Sequence, residues 1–200
     1  MPKAAAMLWD VDGVLIPGGG FRGHLARDWG IQPEQTRPFF EGPFRRCLVG
    51  ELDVREALPP FLREWGWMGS ADEFLRIWFR SESRLNVAVR AAIERGRTSR
   101  IPQYLATNQE RRRLYFLMEE LGLKRLVDDA LVSCEMGAAK PDHAFFEAAL
   151  RRVATPNPRA VHFWDDSPEN VEAARAAGLE AHLFTDSVSL ARELASLAPY

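Results

Sequence analysis

Cysteine is scarce in this 200-residue chain, which has only Cys47 and Cys134, far apart and outside any metal-type spacing. Neither a disulfide framework nor a zinc site is indicated, and a reducing compartment is expected. Histidine is nearly as sparse. His24, His143, His162 and His182 share no ligand spacing and support no Ser-His-Asp grouping, and His162 and His182 fall inside apolar runs, where they read as packed residues. An excess of one charge is also missing. The formal net charge is -2 with 27% charged residues, so the basic footprint of a nucleic-acid partner is absent. No apolar run approaches the roughly 20 residues that cross a bilayer. The N-terminus, MPKAAAMLWD, meets an acid too soon to hold a signal peptide's apolar region. These absences predict a soluble cytoplasmic protein with no nucleic-acid or membrane partner, a monomer or homodimer. It has one sizeable core and room for a small inserted subdomain. Internal repeats and low-complexity segments are absent too, and the run Gly18–Gly20 is no Walker loop, which requires G-x-x-x-x-G-K-[ST].

Short apolar runs are present, each followed by a helical pattern. AAMLW precedes Asp10, IPQYLA precedes Thr107, AVHFW precedes Asp165, EAHLF precedes Thr185, and a weaker ALVS ends at Ser133. Runs of that length bounded by polar residues suit strands buried on both faces of a parallel sheet. Between them, RRRLYFLMEELG stops at Gly122, PDHAFFEAALRRV follows Lys140, and SPENVEAARAAG stops at Gly178; the closing segment SLARELASLAPY has amphipathic spacing. Strand alternating with helix predicts a doubly wound α/β fold with a parallel sheet, its ligand site lying at the carboxyl ends of the strands. From about residue 21 to 84 no buried strand is legible, only helical patterns such as VREALPPFLREWG and ADEFLRIWF. A structureless loop of that length does not fit a compact domain. The expectation is a helical cap, residues 19–84, inserted after the first strand of a core built from residues 1–18 and 85–200. Gly18–Gly20 reads equally as a hinge or as a plain flexible connector.

The polar residues that could do chemistry gather at the strand ends. Asp10 and Asp12 follow the first strand, Thr107 and Asn108 the second, and Asp165 and Asp166 a later one, while Lys140 precedes Pro141. Thr107 or Asn108 could instead cap a helix. Asp165 and Asp166 are harder to explain structurally, because Ser167–Pro168 already supplies a cap and a first-turn proline. Lys140 stands ahead of a helix start, where the dipole disfavours a cation unless an anion is near. Taken together, four carboxylates and a hydroxyl make a set of hard oxygen donors that suits Mg²⁺ and, through it, a phosphate, with the lysine as a further positive charge. Such a set fits phosphoryl transfer.

DVDGV at Asp10–Val14, Thr107–Asn108, Lys140–Pro141 and WDDSPEN at Trp164–Asn170 resemble, in order, the four motifs of the haloacid dehalogenase (HAD) superfamily. The helical insertion resembles the small cap of its phosphoglycolate phosphatase and β-phosphoglucomutase group, in the sugar-phosphate or flavin-mononucleotide phosphatase-like branch. The resemblance implies a Rossmann-like core and a Mg²⁺-dependent phosphomonoester hydrolase acting on a small phosphorylated metabolite. Asp10 would be the nucleophile and Asp12 the acid/base, its main-chain carbonyl also on the metal. Thr107, the main chain of Asn108, and Lys140 would hold the phosphoryl group, with Lys140 also pairing with the nucleophile. Asp166 would ligate the metal directly, beside Asp10, with Asp165 supporting its shell. Asn170 would orient the loop or Lys140. A phosphosugar mutase, a non-catalytic binding protein and a 2-haloacid dehalogenase are the alternatives, the last disfavoured by the acid at Asp12. The Arg111–Arg113 run reads as a solvated helix face, and the six tryptophans as packing residues. In the cap, Phe39, Phe40, Arg45 and Arg46 fit substrate contact and ordinary packing or surface charge equally.

Overall fold

The computed structural model describes residues 4–18 and 20–197. Five strands form one sheet: β1 (Ala6–Trp9), β2 (Gln103–Thr107), β3 (Asp129–Val132), β4 (Val161–Asp165) and β5 (Glu180–Leu183). Their order is β3-β2-β1-β4-β5, and every pairing is parallel. All four β1 residues are fully buried. Alternation sends Ala6 and Leu8 to one apolar cluster and Met7 and Trp9 to the other, one on each face of the sheet. Because β1 pairs with β2 on one side and β4 on the other, the chain reverses its winding there, and the crevice beyond its carboxyl end is where a ligand belongs. EAHLF departs from the expectation of strands buried on both faces. As β5 it is an edge strand, with Glu180 exposed and Leu183 partly so, because only β4 pairs with it.

Helices cover both faces. Between β1 and the core helix α7 (Val87–Thr98) lie six helices: α1 (Gly20–Trp29), α2 (Pro33–Glu41), α3 (Pro43–Leu48), α4 (Val54–Ala57), α5 (Pro59–Glu64) and α6 (Ala71–Ser81). VREALPPFLREWG is therefore two short helices, not one, since Pro59 and Pro60 lack the N–H groups a continuous helix needs. α6 starts on a reciprocal Ser70–Glu73 capping box, and Asn86 caps α7 by accepting from Ala88 N and Val89 N. The cap packs on aromatic rings. Phe39 is fully buried, with ring centroids 5.2 Å from Phe40 and 5.3 Å from Phe61. Phe40 packs on Trp78, while Arg45 and Arg46 are exposed and Arg46 pairs with Glu51. For these four residues the structure supplies packing and surface charge. Gly19, at the middle of the expected hinge, lies outside the described residues.

The remaining helices are α8 (Arg111–Tyr115), continued by a π-helical turn Phe116–Glu120, then α9 (Ser133–Met136), α10 (His143–Val153), α11 (Pro168–Ala176) and α12 (Ser187–Ser196). Gly122 and Gly178 follow their helices at φ +80° and +94°, as the sequence stops predict. Among the described residues no helix is long and apolar enough to cross a membrane.

Under α12, Trp164 stacks between Trp9 and His182, at centroid distances of 4.6 Å on each side. His162 Nδ1 lies 3.2 Å from His182 Nε2. Burial pulls His162 from its ordinary 6.5 down to about 4, and burial lowers His182 as well. A base depressed in the folded state is protonated first in the unfolded chain, so its contribution to stability is lost as pH falls from 6.5 towards 4. Relative to a His162→Phe variant, the wild type should lose about 1.4 kcal/mol of unfolding free energy per pH unit in that window. Urea titrations at pH 7 and pH 5 check this, and a difference between the two proteins that stays constant with pH contradicts it.

Candidate active site

β1 and β4 are in register, Trp9 opposite Trp164, so the residues that follow emerge together at the crevice. Asp10 comes directly after β1, and Asp165 closes β4, accepting from Ser167 N and Asn170 Nδ2, both at 2.9 Å through Oδ1. Ser167 caps α11 by accepting from Asn170 N, as expected, so neither aspartate is needed as the helix cap. Lys140 Nζ lies 2.8 Å from Asp10 Oδ1 and 2.5 Å from Asp165 Oδ2, with all three residues buried. Asn108 does not cap a helix. Its side-chain amide pairs reciprocally with the Lys140 backbone, donating to the carbonyl and accepting from the N–H, both at 2.8 Å. Glu110 takes the capping role, accepting from Arg112 N and Arg113 N. Thr107, buried at the end of β2, accepts from Gln109 Nε2 at 3.2 Å.

One carboxylate oxygen each from Asp10, Asp165 and Asp166 lies within 4.8 Å of the other two. Burial pushes Asp10 up to about 7, with Lys140 opposing and Asp165 adding to the rise. Burial and the neighbouring Asp165 raise Asp166 too. Burial pulls the Lys140 ammonium down, but Asp10 and Asp165 outweigh it and leave it above its ordinary value. Two buried carboxylates and the exposed Asp166 beside them outnumber one ammonium, and a divalent cation relieves the excess negative charge. Hard oxygen donors at this spacing fit Mg²⁺. The Asp12 side chain stands outside this cluster, its Oδ2 accepting from Gln109 Nε2 at 2.6 Å, which leaves only its main-chain carbonyl for the metal role given to it above.

Gly13 makes the close approach possible. At φ +99° a Cβ there would lie 2.2 Å from Asp166 Oδ2, so both the backbone and the space require glycine. Gly13→Ala should displace Asp166 and weaken Mg²⁺ binding about 10- to 100-fold, read by titration calorimetry; a variant that binds Mg²⁺ as wild type does contradicts this.

The arginine run corrects the sequence reading. Arg112 is half-exposed and pairs with Asp53 of the cap, but Arg113 is buried. Its Nη1 donates to Phe79 O at 2.8 Å, and its Nη2 donates to Glu82 O at 2.6 Å and reaches Asp12 Oδ1 at 3.5 Å. The missed signal was periodicity: Phe116 and Leu117, three and four residues on, are both buried and put Arg113 on the inner face. Gln109, also missed, carried no such pattern.

The sequence pattern of the haloacid dehalogenase-like hydrolases matches residues 4–178. The chain belongs to that family. It is similar to a Thermotoga maritima protein named phosphorylated carbohydrates phosphatase, 26% identical over 88% of this chain and 82% of that one. Phosphatase MT3486 of Mycobacterium tuberculosis is 30% identical over 96% of this chain and 94% of its own. In fold, it is similar to the HAD family enzyme bt-2542 of Bacteroides thetaiotaomicron in its magnesium complex, with TM-score 0.80, 20% identity, and coverage of 96% and 100%. The five-stranded parallel sheet with its helical cap is thus the family's Rossmann-like architecture, and this HAD member is a hydrolase of the phosphatase type.

Proposed function

We propose that the chain is a Mg²⁺-dependent phosphomonoester hydrolase working through a phosphorylated Asp10, on a small phosphorylated metabolite of the sugar-phosphate kind. The observation that carries this reading is the buried Asp10–Lys140–Asp165 group with Asp166 beside it. In it, Asp10 Oδ attacks phosphorus as the bond from phosphorus to the leaving oxygen breaks, and Asp12 gives the leaving oxygen its proton. The same Asp12 then takes a proton from the water that displaces phosphate from Asp10. Lys140 and Thr107 would face the phosphoryl oxygens, Lys140 offsetting charge that grows in the transition state. Asn108 serves by fixing the Lys140 backbone, and Asn170 by orienting Asp165. Asp10, Asp166 and the Asp12 carbonyl would hold Mg²⁺, supported by Asp165, and the bound metal supplies charge neutralisation and orients the phosphate. The division into a cap of residues 19–84 and a core of 1–18 and 85–200 belongs to this reading, with the cap selecting the substrate. The carbohydrate preference rests on the name of the Thermotoga relative. The acid at Asp12 speaks against dehalogenation.

Turnover of p-nitrophenyl phosphate should fall to background in EDTA and return on adding Mg²⁺. Full activity in EDTA contradicts the metal role. A panel of sugar phosphates, nucleotides and flavin mononucleotide then ranks substrates.

A further inference from the structure

Arg113 is charged and buried, with only 4% of its side chain exposed, yet among the described residues the carboxylate it pairs with is the half-exposed Asp12 at the mouth of the crevice. Its closer partners belong to the segment leaving the cap. Phe79 O is in the last turn of α6, and Glu82 O is in the connector that follows. The guanidinium therefore sits at the negative end of the α6 dipole and satisfies carbonyls that the helix cannot. It also packs over the rings of Phe79 and Phe116, 5.5 and 5.6 Å from their centroids. Glu82 draws the two ends of the cap together, its carboxylate accepting from Phe21 N in the first turn of α1 and from Trp78 Nε1, both at 3.0 Å. In this chain of contacts the bonds into the cap are 2.6 to 3.0 Å and the reach to Asp12 is 3.5 Å. The short bonds decide where the guanidinium stands, so the return connector of the cap, rather than Asp12, sets its place. Gln109 holds the other Asp12 oxygen from the core side.

We propose that Arg113 is a positioning residue that ties the aim of the Asp12 carboxylate to the placement of the cap's return connector. This rests on the reading of Asp12 as the group that protonates the leaving oxygen. A misaimed acid matters most when the leaving group is basic. Phenolate needs the proton as the phosphorus–oxygen bond breaks, whereas p-nitrophenolate departs readily as the anion. The quantity to compare is kcat/KM, which covers the steps through transfer of the phosphoryl group to Asp10 and omits the later hydrolysis.

The test measures kcat/KM for phenyl phosphate and p-nitrophenyl phosphate in wild type, Arg113→Gln and Arg113→Lys. A positioned general acid contributes about 10²–10⁴-fold, so Arg113→Gln is expected to lose about tenfold more on phenyl phosphate than on p-nitrophenyl phosphate. Arg113→Lys keeps the charge and the apolar stem but not the two-pronged donor, and should fall between Gln and wild type. It also provides the measurement if the Gln variant does not fold. Equal losses on the two substrates, however large, would mean that Arg113 only supports the fold, and would overturn the proposal. Failure of the functional reading looks different: wild type and Asp10→Asn would then be equally inactive on both substrates, and the proposal would fall with it.

Discussion

Asp10→Asn is expected to lower phosphate release from p-nitrophenyl phosphate by about 10⁴-fold or more while leaving the protein folded. The amide keeps the shape of the side chain but removes the proposed nucleophile, and no neighbouring group is placed to take over a covalent step. Asp165 is already engaged by Lys140, Ser167 N and Asn170, and Asp12 is turned towards Gln109. Stability should move the other way. Burial holds the Asp10 carboxyl up near 7 despite Lys140, so at pH 8 without metal the native state bears an ionised group that it disfavours. A carboxyl raised in the folded state makes the protein less stable above that value, and the penalty vanishes as pH falls towards the ordinary carboxylate range. The Asn variant should therefore melt higher than wild type at pH 8 in EDTA, with the gap clearly narrower at pH 5. Thermal melts at the two pH values check this; a lower melting temperature at pH 8 contradicts it.

Lys140→Met should cost both activity and stability. The methionine fills much of the lysine's volume but leaves Asp10 and Asp165 buried with no cation between them. Removing one partner of a buried, hydrogen-bonded charge pair costs about 3–5 kcal/mol. The loss of positive charge beside the phosphoryl group should lower kcat about 10³-fold. Added Mg²⁺ should recover part of the stability but little of the activity, since the metal offsets the carboxylates but would not replace Lys140 in its proposed place at the phosphate. Denaturant titrations with and without Mg²⁺, paired with kcat, test this. Full recovery of kcat by Mg²⁺ would show that Lys140 acts only on the carboxylates.

The core of the fold was legible in the sequence because its strands are short apolar runs that end in polar residues. AAMLW and AVHFW are buried on both faces as β1 and β4, and a regular alternation of helices separates the strands. EAHLF looked the same but forms an edge, because composition does not reveal how many neighbours a strand has. In the site, Asp10, Lys140, Asp165 and Asp166 were legible as charges with no structural excuse, and the structure brings them together. The sequence motif puts Asn108 at the site for its main chain, while its side chain pairs with the Lys140 backbone, a contact across 32 residues that no local pattern encodes. A run of three arginines suggests solvent, but the spacing of Arg113 to the buried Phe116 and Leu117 puts it on the inner face. The partners of Arg113, Phe79 O and Glu82 O, are backbone atoms of a distant segment, and they become visible only once the cap is folded over the core.

The most direct measurement is an acid quench of the wild-type enzyme during turnover of a radiolabelled phosphate ester with Mg²⁺, followed by peptide mapping. The account predicts label on the peptide that contains Asp10, released by hydroxylamine as an acyl phosphate should be, and absent from Asp10→Asn. Turnover at the wild-type rate with label on another residue, or an Asp10→Asn protein that still forms the labelled adduct, would contradict it.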